Sequence, residues 1–360
     1  MNLLISGGCG FIGTNLVRRA VLEHGHRVTN IDLLTYAGNR SSLQDLEGGS
    51  HYELVVADVC DAAALADVFS RACPDAVVHL AAESHVDRSI DGPAAFVRTN
   101  IHGTFTMLQA ATAHWRSLEG SRAESFRFVH VSTDEVYGSL GSEDPPFTEE
   151  SRYDPHSPYA ASKAAGDHLA RAWHDTYGLP VVVTNCSNNY GPFQFPEKLI
   201  PVTIIKALAG EPIPVYGTGE NVRDWLYVSD HADALLLVAT AGNPGQTYNI
   251  GGTNEMRNID LVHRVCRLLD ELAPREAGGS YADQIEFVED RPGHDRRYAI
   301  DATRLHRELG WAPAFSPDAT LRSTVRWYVE NRRWWSSILQ GTHIERQGLG
   351  SAAARSKEQQ

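Results

Sequence analysis

Apolar residues fall in short β-branched runs through the first half of the chain, with stretches of helical spacing between them. The runs at 3–6, 27–32, 52–57, 76–81, 126–132 and 181–185 are largely apolar, which predicts strands buried on both faces. Helical spacing covers 12–23, 62–71, 94–115 and 159–177. Strands alternating with helices predict a parallel sheet covered on both sides, the doubly wound arrangement of the α/β class. After residue 185 the alternation breaks up, and Pro and Gly cluster at Gly191-Pro192, Gly210-Glu211-Pro212 and Gly217-Thr218-Gly219. That composition predicts a smaller, loop-rich substrate domain over the open edge of the sheet. Residues 225–241 regain a strand-then-helix pattern and are expected to return to the first domain. The expected division is residues 1–186 with 225–250 for the first domain, and 187–224 with 251–335 for the second. The tail, 348–360, has few apolar residues and is expected to be disordered.

Between the first strand and the first helix the chain reads Gly7-Gly8-Cys9-Gly10-Phe11-Ile12-Gly13. Glycines at 7, 10 and 13 permit a tight turn, a close backbone approach to a pyrophosphate, and close helix–strand packing. Glycine turns also join strands to helices for purely structural reasons, so the context decides. Asp32 ends the second strand at the distance where a carboxylate binds a ribose 2′-hydroxyl and repels a 2′-phosphate. Leu33-Leu34 bring no arginine for that phosphate, so the pattern favours NAD over NADP in a Rossmann-type domain. Asp58 ends the third strand and reads equally as an adenine contact or as a helix N-cap before Asp61. Cys9 reads as a small side chain tolerated in a tight loop.

Val131-Ser132-Thr133-Asp134-Glu135-Val136-Tyr137-Gly138 and Tyr159-Ala160-Ala161-Ser162-Lys163 carry the candidate chemistry. A tyrosine four residues before a lysine shares its helical face, and the lysine charge favours the phenolate. Tyr159 then suits the role of a base near neutral pH. Oxidising an alcohol needs one base; eliminating water next to it needs an acid and a further base. Asp134 and Glu135 supply those two groups. Thr133-Asp134-Glu135 could simply cap a helix, but ligands of open α/β sheets bind at the C-terminal ends of strands, which is where these residues fall. Tyr137 has no lysine four residues on and reads as packing.

Composition removes several other classes. At 360 residues, 42% hydrophobic and 21% charged, the chain is long enough for a large buried core. A net charge of −13 argues against a nucleic-acid partner. No apolar run is long enough to span a bilayer, and the first residues read as a strand and not as a signal peptide. Five scattered cysteines, without metal-ligand spacing, fit free thiols in a reducing cytoplasm and predict no metal.

With these motifs in place, the chain resembles the extended short-chain dehydrogenase/reductases and, within them, the dTDP-glucose 4,6-dehydratases. Three further stretches carry the resemblance: Asp32-Leu33-Leu34-Thr35-Tyr36-Ala37-Gly38-Asn39, Leu80-Ala81-Ala82-Glu83-Ser84-His85-Val86-Asp87-Arg88-Ser89, and Asp290-Arg291-Pro292-Gly293-His294-Asp295-Arg296-Arg297-Tyr298. It extends from residue 1 to about 335. Cys9 stands where that family usually has alanine, and Leu33 where many members are polar or basic.

The resemblance implies an order of events. Tyr159, supported by Lys163, takes the proton of the sugar 4-hydroxyl while hydride leaves C4 for NAD, and Thr133 orients the same oxygen. Glu135 then removes the C5 proton and Asp134 protonates the departing C6 hydroxyl, so Asp134 must be held neutral. Hydride returns to C6, giving a 4-keto-6-deoxy sugar. NAD is expected on Gly7, Gly10, Phe11, Ile12 and Gly13, on Asp32, Leu33, Leu34 and Thr35, and on Asp58 and Val59. Leu80, Ala81, Ala82, Ser84, Thr99, Tyr159, Lys163 and Asn189 complete that set.

dTDP-glucose is expected on Ser84, Thr133, Asn188, Lys198 and Leu199, and on Pro214, Val215 and Tyr216, with Tyr216 packing on the base. Arg223, Asn258, Asp290, Arg291, Pro292, Gly293 and His294 complete the nucleotide site. Lys198, Arg223, Arg291 and His294 supply the positive charge that a diphosphate needs. Similar enzymes pair the helices at 96–115 and 159–177 with their symmetry mates, so a homodimer is expected. The rivals are another nucleotide-sugar dehydratase or epimerase on the same scaffold, and a non-catalytic NAD-sensing protein. A 4-epimerase has no need of the Asp134-Glu135 pair, GDP-mannose dehydratases typically carry threonine at the Asp134 position, and sensing proteins usually lose the tyrosine or the lysine.

Overall fold

Seven strands form the large sheet of the computed structural model, which describes residues 1–290 and 294–341. They are β1 (Asn2–Ser6), β2 (Arg27–Asp32), β3 (Tyr52–Val56), β4 (Ala76–His79), β5 (Arg127–Thr133), β6 (Val181–Cys186) and β10 (Thr247–Ile250). Their order is β10-β6-β5-β4-β1-β2-β3, and every pairing is parallel. The chain builds outward from β1 through β2 to β3, then crosses to β4 on the other side. The order therefore reverses between β1 and β4, where a crevice opens beyond the carboxyl ends of the strands.

Alternate residues of each strand feed two cores, as the period of two requires. Leu3, Ile5, Val28, Val78 and Val182 pack under the helices Phe11–Arg18 and Val228–Ala241. Leu4, Ile31, Val77, Phe128 and Val181 pack under Ala62–Ala72, Thr104–Arg116 and Pro158–Tyr177. The last of these helices has firm ends: Ser157 caps it by accepting the Ala160 N–H, Pro158 opens it, and Gly178 closes it at φ +76°.

The helix expected at 94–115 is not uniform. Val97–Gly103 is π-helical between the α-helical pieces Pro93–Phe96 and Thr104–Arg116. Such turns often mark functional sites. This one lays Thr99 along the cleft described below. It also buries Asn100, whose amide bonds both the N–H and the C=O of Glu83 and the hydroxyl of Ser162.

The smaller part holds β7 (Asn188–Tyr190), β8 (Ile213–Tyr216), β9 (Val222–Tyr227), β11 (Glu255–Arg257) and β12 (Ile285–Val288). They form a three-stranded sheet, β11-β9-β7, and a parallel pair, β12-β8. The strand expected at the head of 225–250 is β9, and it pairs in this small sheet. The place beside β6 is taken by β10, so the segment rejoins the large sheet only through the helix Val228–Ala241 and β10. A third core of Ile204, Ile213, Val262, Leu269, Val325 and Tyr328 supports this part. Arg291, Pro292, Gly293 and the 348–360 tail lie outside the described residues. Among the described residues, no helix is long and apolar enough to cross a membrane.

Candidate active site

One cleft of about 320 Å³ runs along the carboxyl ends of β1, β2, β4, β5 and β6. Gly7, Gly10, Phe11, Ile12 and Gly13 form one wall. Gly7 has φ +76°, and a Cβ there would sit 2.7 Å from the Ala81 nitrogen. A Cβ on Gly13 would sit 2.2 Å from the Gly7 carbonyl oxygen. Packing thus forces glycine at both positions. Gly10 opens the helix Phe11–Arg18 without a side-chain cap, so its first turn faces the cleft as a site for an anion.

Asp32 is 8% exposed at the end of β2. Its carboxylate accepts the N–H of Cys9 at 2.9 Å and of Leu34 at 2.8 Å. Burial pushes its pKa up against the pull of these two bonds. Leu33 and Thr35 line the cleft, as do Leu80, Ala81, Ala82, Ser84 and Asn189. Leu34 is not among them: its side chain packs on the core, and its N–H donates to Asp32. Cys9 is 1% exposed, and burial, then Asp32, pushes its thiol up to about 12. That is an inert packing cysteine.

Asp58 and Val59 also line the cleft. The cap of the next helix is Asp61, which accepts the N–H groups of Ala63 and Ala64. Asp58 instead accepts the Cys60 N–H at 2.8 Å and pairs with Arg98 at 2.5 Å. An uncapped helix end and a buried carboxylate at the next strand end together fit a dinucleotide whose ribose keeps its 2′-hydroxyl.

Thr133, Asp134, Glu135, Tyr159 and Lys163 stand together in the middle of the cleft. Thr133 ends β5 and its hydroxyl accepts the Glu135 N–H at 3.3 Å and donates to Asp134 at 3.3 Å. The tight turn Asp134–Tyr137 follows, closed by Gly138 at φ +89°. Burial, then Glu135 and Asp224, holds the Asp134 carboxyl well above the usual carboxylate range. Lys163 is 4% exposed and its Nζ donates to the Val131 carbonyl at 2.8 Å. The lowered tyrosine pKa expected from this lysine is not what the surroundings produce. Burial, then Glu135 and Cys186, raises the Tyr159 phenol, while its bond with Thr133 works the other way. Tyr137 is buried against Phe147, and its hydroxyl donates to Asn249 at 2.9 Å, as befits packing.

Asn188 and Lys198 line the far end of the cleft, and Leu199 follows as the first residue of the helix Leu199–Ala209. The remaining substrate candidates gather elsewhere, around the turn after β8. His294 Nδ1 lies 2.6 Å from Asp290 Oδ1, and its ring meets Tyr216 edge-on at 6.2 Å. Asn258 joins them through its N–H, which donates to Asn221. Strand alternation sends Val215 the opposite way from Pro214 and Tyr216, into the third core at 1% exposure. Arg223 is 5% exposed and donates to the carbonyls of Val222, Arg296 and Asp295, with its guanidinium 4.3 Å from the centre of the Tyr298 ring.

Several cleft residues escaped the sequence reading, among them Glu83, Cys186, Ser187, Gln194 and Glu197. Cys186 ends β6, so the strand-end rule that selected Thr133 also selects it. No cluster of three or more metal-ligating side chains occurs among the described residues.

The sequence model of the GDP-mannose 4,6 dehydratase family matches residues 4–324. The chain is 57% identical over 350 residues to a probable dTDP-glucose 4,6-dehydratase of Sinorhizobium fredii, covering 97% of this chain and 99% of that one. It is 54% identical over 351 residues to dTDP-glucose 4,6-dehydratase 1 of Escherichia coli K12, covering 95% and 97%. The chain belongs to the dTDP-glucose 4,6-dehydratase family. DesIV of Streptomyces venezuelae, a dTDP-glucose 4,6-dehydratase solved with NAD bound, superposes with a TM-score of 0.84 at 45% identity, covering 94% of this chain and all of that one. A UDP-glucose 4-epimerase of Thermotoga maritima, solved with UDP-glucose, also superposes, with a TM-score of 0.80 at 28% identity over 92% of this chain. The scaffold thus serves more than one reaction, and the side chains of the site select among them.

Proposed function

We propose that the protein converts dTDP-glucose to dTDP-4-keto-6-deoxyglucose and water, with NAD as its cofactor. One observation carries the reading: Asp134, buried and with its carboxyl pKa raised, and a cleft-facing Glu135 stand side by side next to Tyr159 and Lys163. A 4-epimerase needs only the tyrosine; elimination of water needs the acid and the second base as well.

NAD, when bound, accepts hydride from C4 and returns it to C6. Gly10 and the helix start behind it hold its diphosphate, and Asp32 holds a ribose. Thr133 orients the sugar 4-oxygen and Tyr159 removes its proton. Glu135, exposed to the cleft, takes the C5 proton that the 4-ketone acidifies, and a solvent-derived proton returns to C5 as hydride reaches C6. Asp134, kept neutral by burial, gives its proton to the leaving C6 hydroxyl. Lys198 and Asn188 meet the sugar and diphosphate, and Tyr216, Asn258 and His294 meet the nucleoside end.

The large-sheet part holds the cofactor and the smaller part the nucleotide sugar. The protein works in the cytoplasm as a homodimer joined through Thr104–Arg116 and Pro158–Tyr177. A turnover panel of dTDP-, UDP-, GDP- and CDP-hexoses, with mass detection of water loss, tests the reading. Loss of water from dTDP-glucose at the highest kcat/KM supports it; equal kcat/KM on GDP-mannose contradicts it.

A further inference from the structure

Asp167 is the most deeply buried carboxylate beside the reacting centre, and no step of the proposed reaction uses it. It lies on the helix Pro158–Tyr177, one turn beyond Lys163 and two beyond Tyr159, so the three share one face. Asp167 is 0% exposed and Lys163 4%. The two side chains anchor to consecutive residues of β5: Lys163 Nζ donates to the Val131 carbonyl at 2.8 Å, and Asp167 Oδ2 accepts the Ser132 hydroxyl at 2.9 Å. The same oxygen accepts the Tyr153 hydroxyl at 2.9 Å and the Asn185 amide at 3.4 Å. Asp167 Oδ1 faces His130 Nε2 at 3.1 Å.

We propose that Asp167 is a positioning residue whose charge keeps the buried Lys163 ammonium protonated, and that it acts on Tyr159 only through that lysine. A buried ammonium without a counter-charge releases its proton. A neutral lysine no longer favours the tyrosine phenolate. The titratable groups facing Asp167 leave it as the negative partner. On its own helix these are Lys163 and Arg171, and Arg171 donates to the Tyr153 hydroxyl. On β5 it is His130, held neutral by burial, and on the neighbouring segments Tyr153 and Tyr137, both raised by burial. Burial opposes the Asp167 charge, yet the nearby His130 ring and the charge of Lys163 bring its pKa below the ordinary value.

The inference rests on the proposed role of Tyr159 as base, and two arms separate the two. In the first, single-turnover absorbance of reduced cofactor is followed against pH with dTDP-glucose. Asp167→Asn keeps the acceptor but removes the charge. The rate at pH 7 should fall about tenfold, and the alkaline-rising midpoint should move up by about one pH unit, with recovery above it. Tyr153→Phe removes a neutral donor and leaves the charge, so its midpoint should stay at the wild-type position. An Asp167→Asn midpoint that stays or moves down overturns the proposal, because Lys163 then holds its charge unaided. An equal shift in Tyr153→Phe overturns it too, because geometry alone then explains the effect.

The second arm needs no catalysis. Adding Lys163→Met to Asp167→Asn removes the buried amine that has lost its counter-charge, so the double variant should melt at a higher temperature than Asp167→Asn at pH 7. A double variant no more stable than the single, or two variants that both fail to fold, makes Asp167 purely architectural. Should wild type form no reduced cofactor, or Tyr159→Phe form it at the wild-type rate, the proposed function fails while the melting arm still decides the Asp167–Lys163 coupling.

Discussion

Asp134 and Glu135 are neighbours in the chain, but Asp134 is 2% exposed, its carboxyl bonded by the Thr133 hydroxyl, while Glu135 stands partly exposed in the cleft. The strand-to-turn junction produces the difference: β5 ends at Thr133, and the tight turn Asp134–Tyr137 sends successive side chains apart. Two carboxyl groups in unlike surroundings can hold opposite protonation states at one pH.

The roles separate in single turnover. Glu135→Gln and Asp134→Asn should still produce the absorbance of reduced cofactor and a 4-keto hexose that keeps its 6-hydroxyl. Tyr159→Phe should produce neither. Each variant should lose roughly 10²–10⁴ in overall rate. Stopped-flow absorbance with mass analysis of the quenched sugar checks this, and a Tyr159→Phe that reduces cofactor as fast as wild type contradicts it.

Asp134 also makes a prediction about stability. Its folded pKa is raised above the unfolded value, so the native state binds more protons and stability falls as pH rises from the unfolded pKa through the folded one. Asparagine cannot ionise and escapes that loss. Asp134→Asn should therefore melt about 2 °C or more above wild type at pH 8, with the gap closing near pH 4. Melting curves at both pH values check it; a variant less stable than wild type at pH 8 would count against a buried neutral acid. In activity the sign is the same, since elimination should fail on the alkaline side as Asp134 loses its proton.

Asp32 bonds the Cys9 N–H inside the glycine turn and the Leu34 N–H just beyond its own strand, so its replacement removes support for the turn as well as a ribose contact. Asp32→Ala should weaken NAD binding by about 10- to 100-fold, the size of a lost charge-assisted hydrogen bond, and relax discrimination against NADP. Calorimetric titration of both cofactors measures this, and unchanged NAD affinity would remove Asp32 from the site.

Sedimentation at micromolar concentration should give a dimer. A fully active monomer would refute the proposed pairing of Thr104–Arg116 and Pro158–Tyr177.

Much of this was legible in the residues because strand cores and glycine turns leave strong local patterns. The apolar runs of β1, β4 and β6 mark strands covered on both faces, and Gly7 and Gly13 mark a turn where a Cβ collides with backbone. What pairing does with a strand leaves no such trace. The β9 pattern announces a strand but not which sheet it joins, and Val215 differs from its neighbours only by the direction of its side chain. Electrostatics was the least legible. The Tyr159–Lys163 spacing foretold a lowered phenol pKa, whereas burial and Glu135, brought near by the fold, raise it. Asp167 continues the four-residue spacing of Tyr159 and Lys163, a signal present in the sequence, but only the surrounding strands reveal that this face of the helix is buried.

The most direct test follows a label from C4. With dTDP-glucose carrying deuterium at C4, in ordinary water, the product should be 18 mass units lighter than the substrate and carry the deuterium at C6. In heavy water, unlabelled substrate should gain one solvent deuterium at C5. A product that keeps its mass, or that loses the C4 label to solvent, would contradict dehydration by this site.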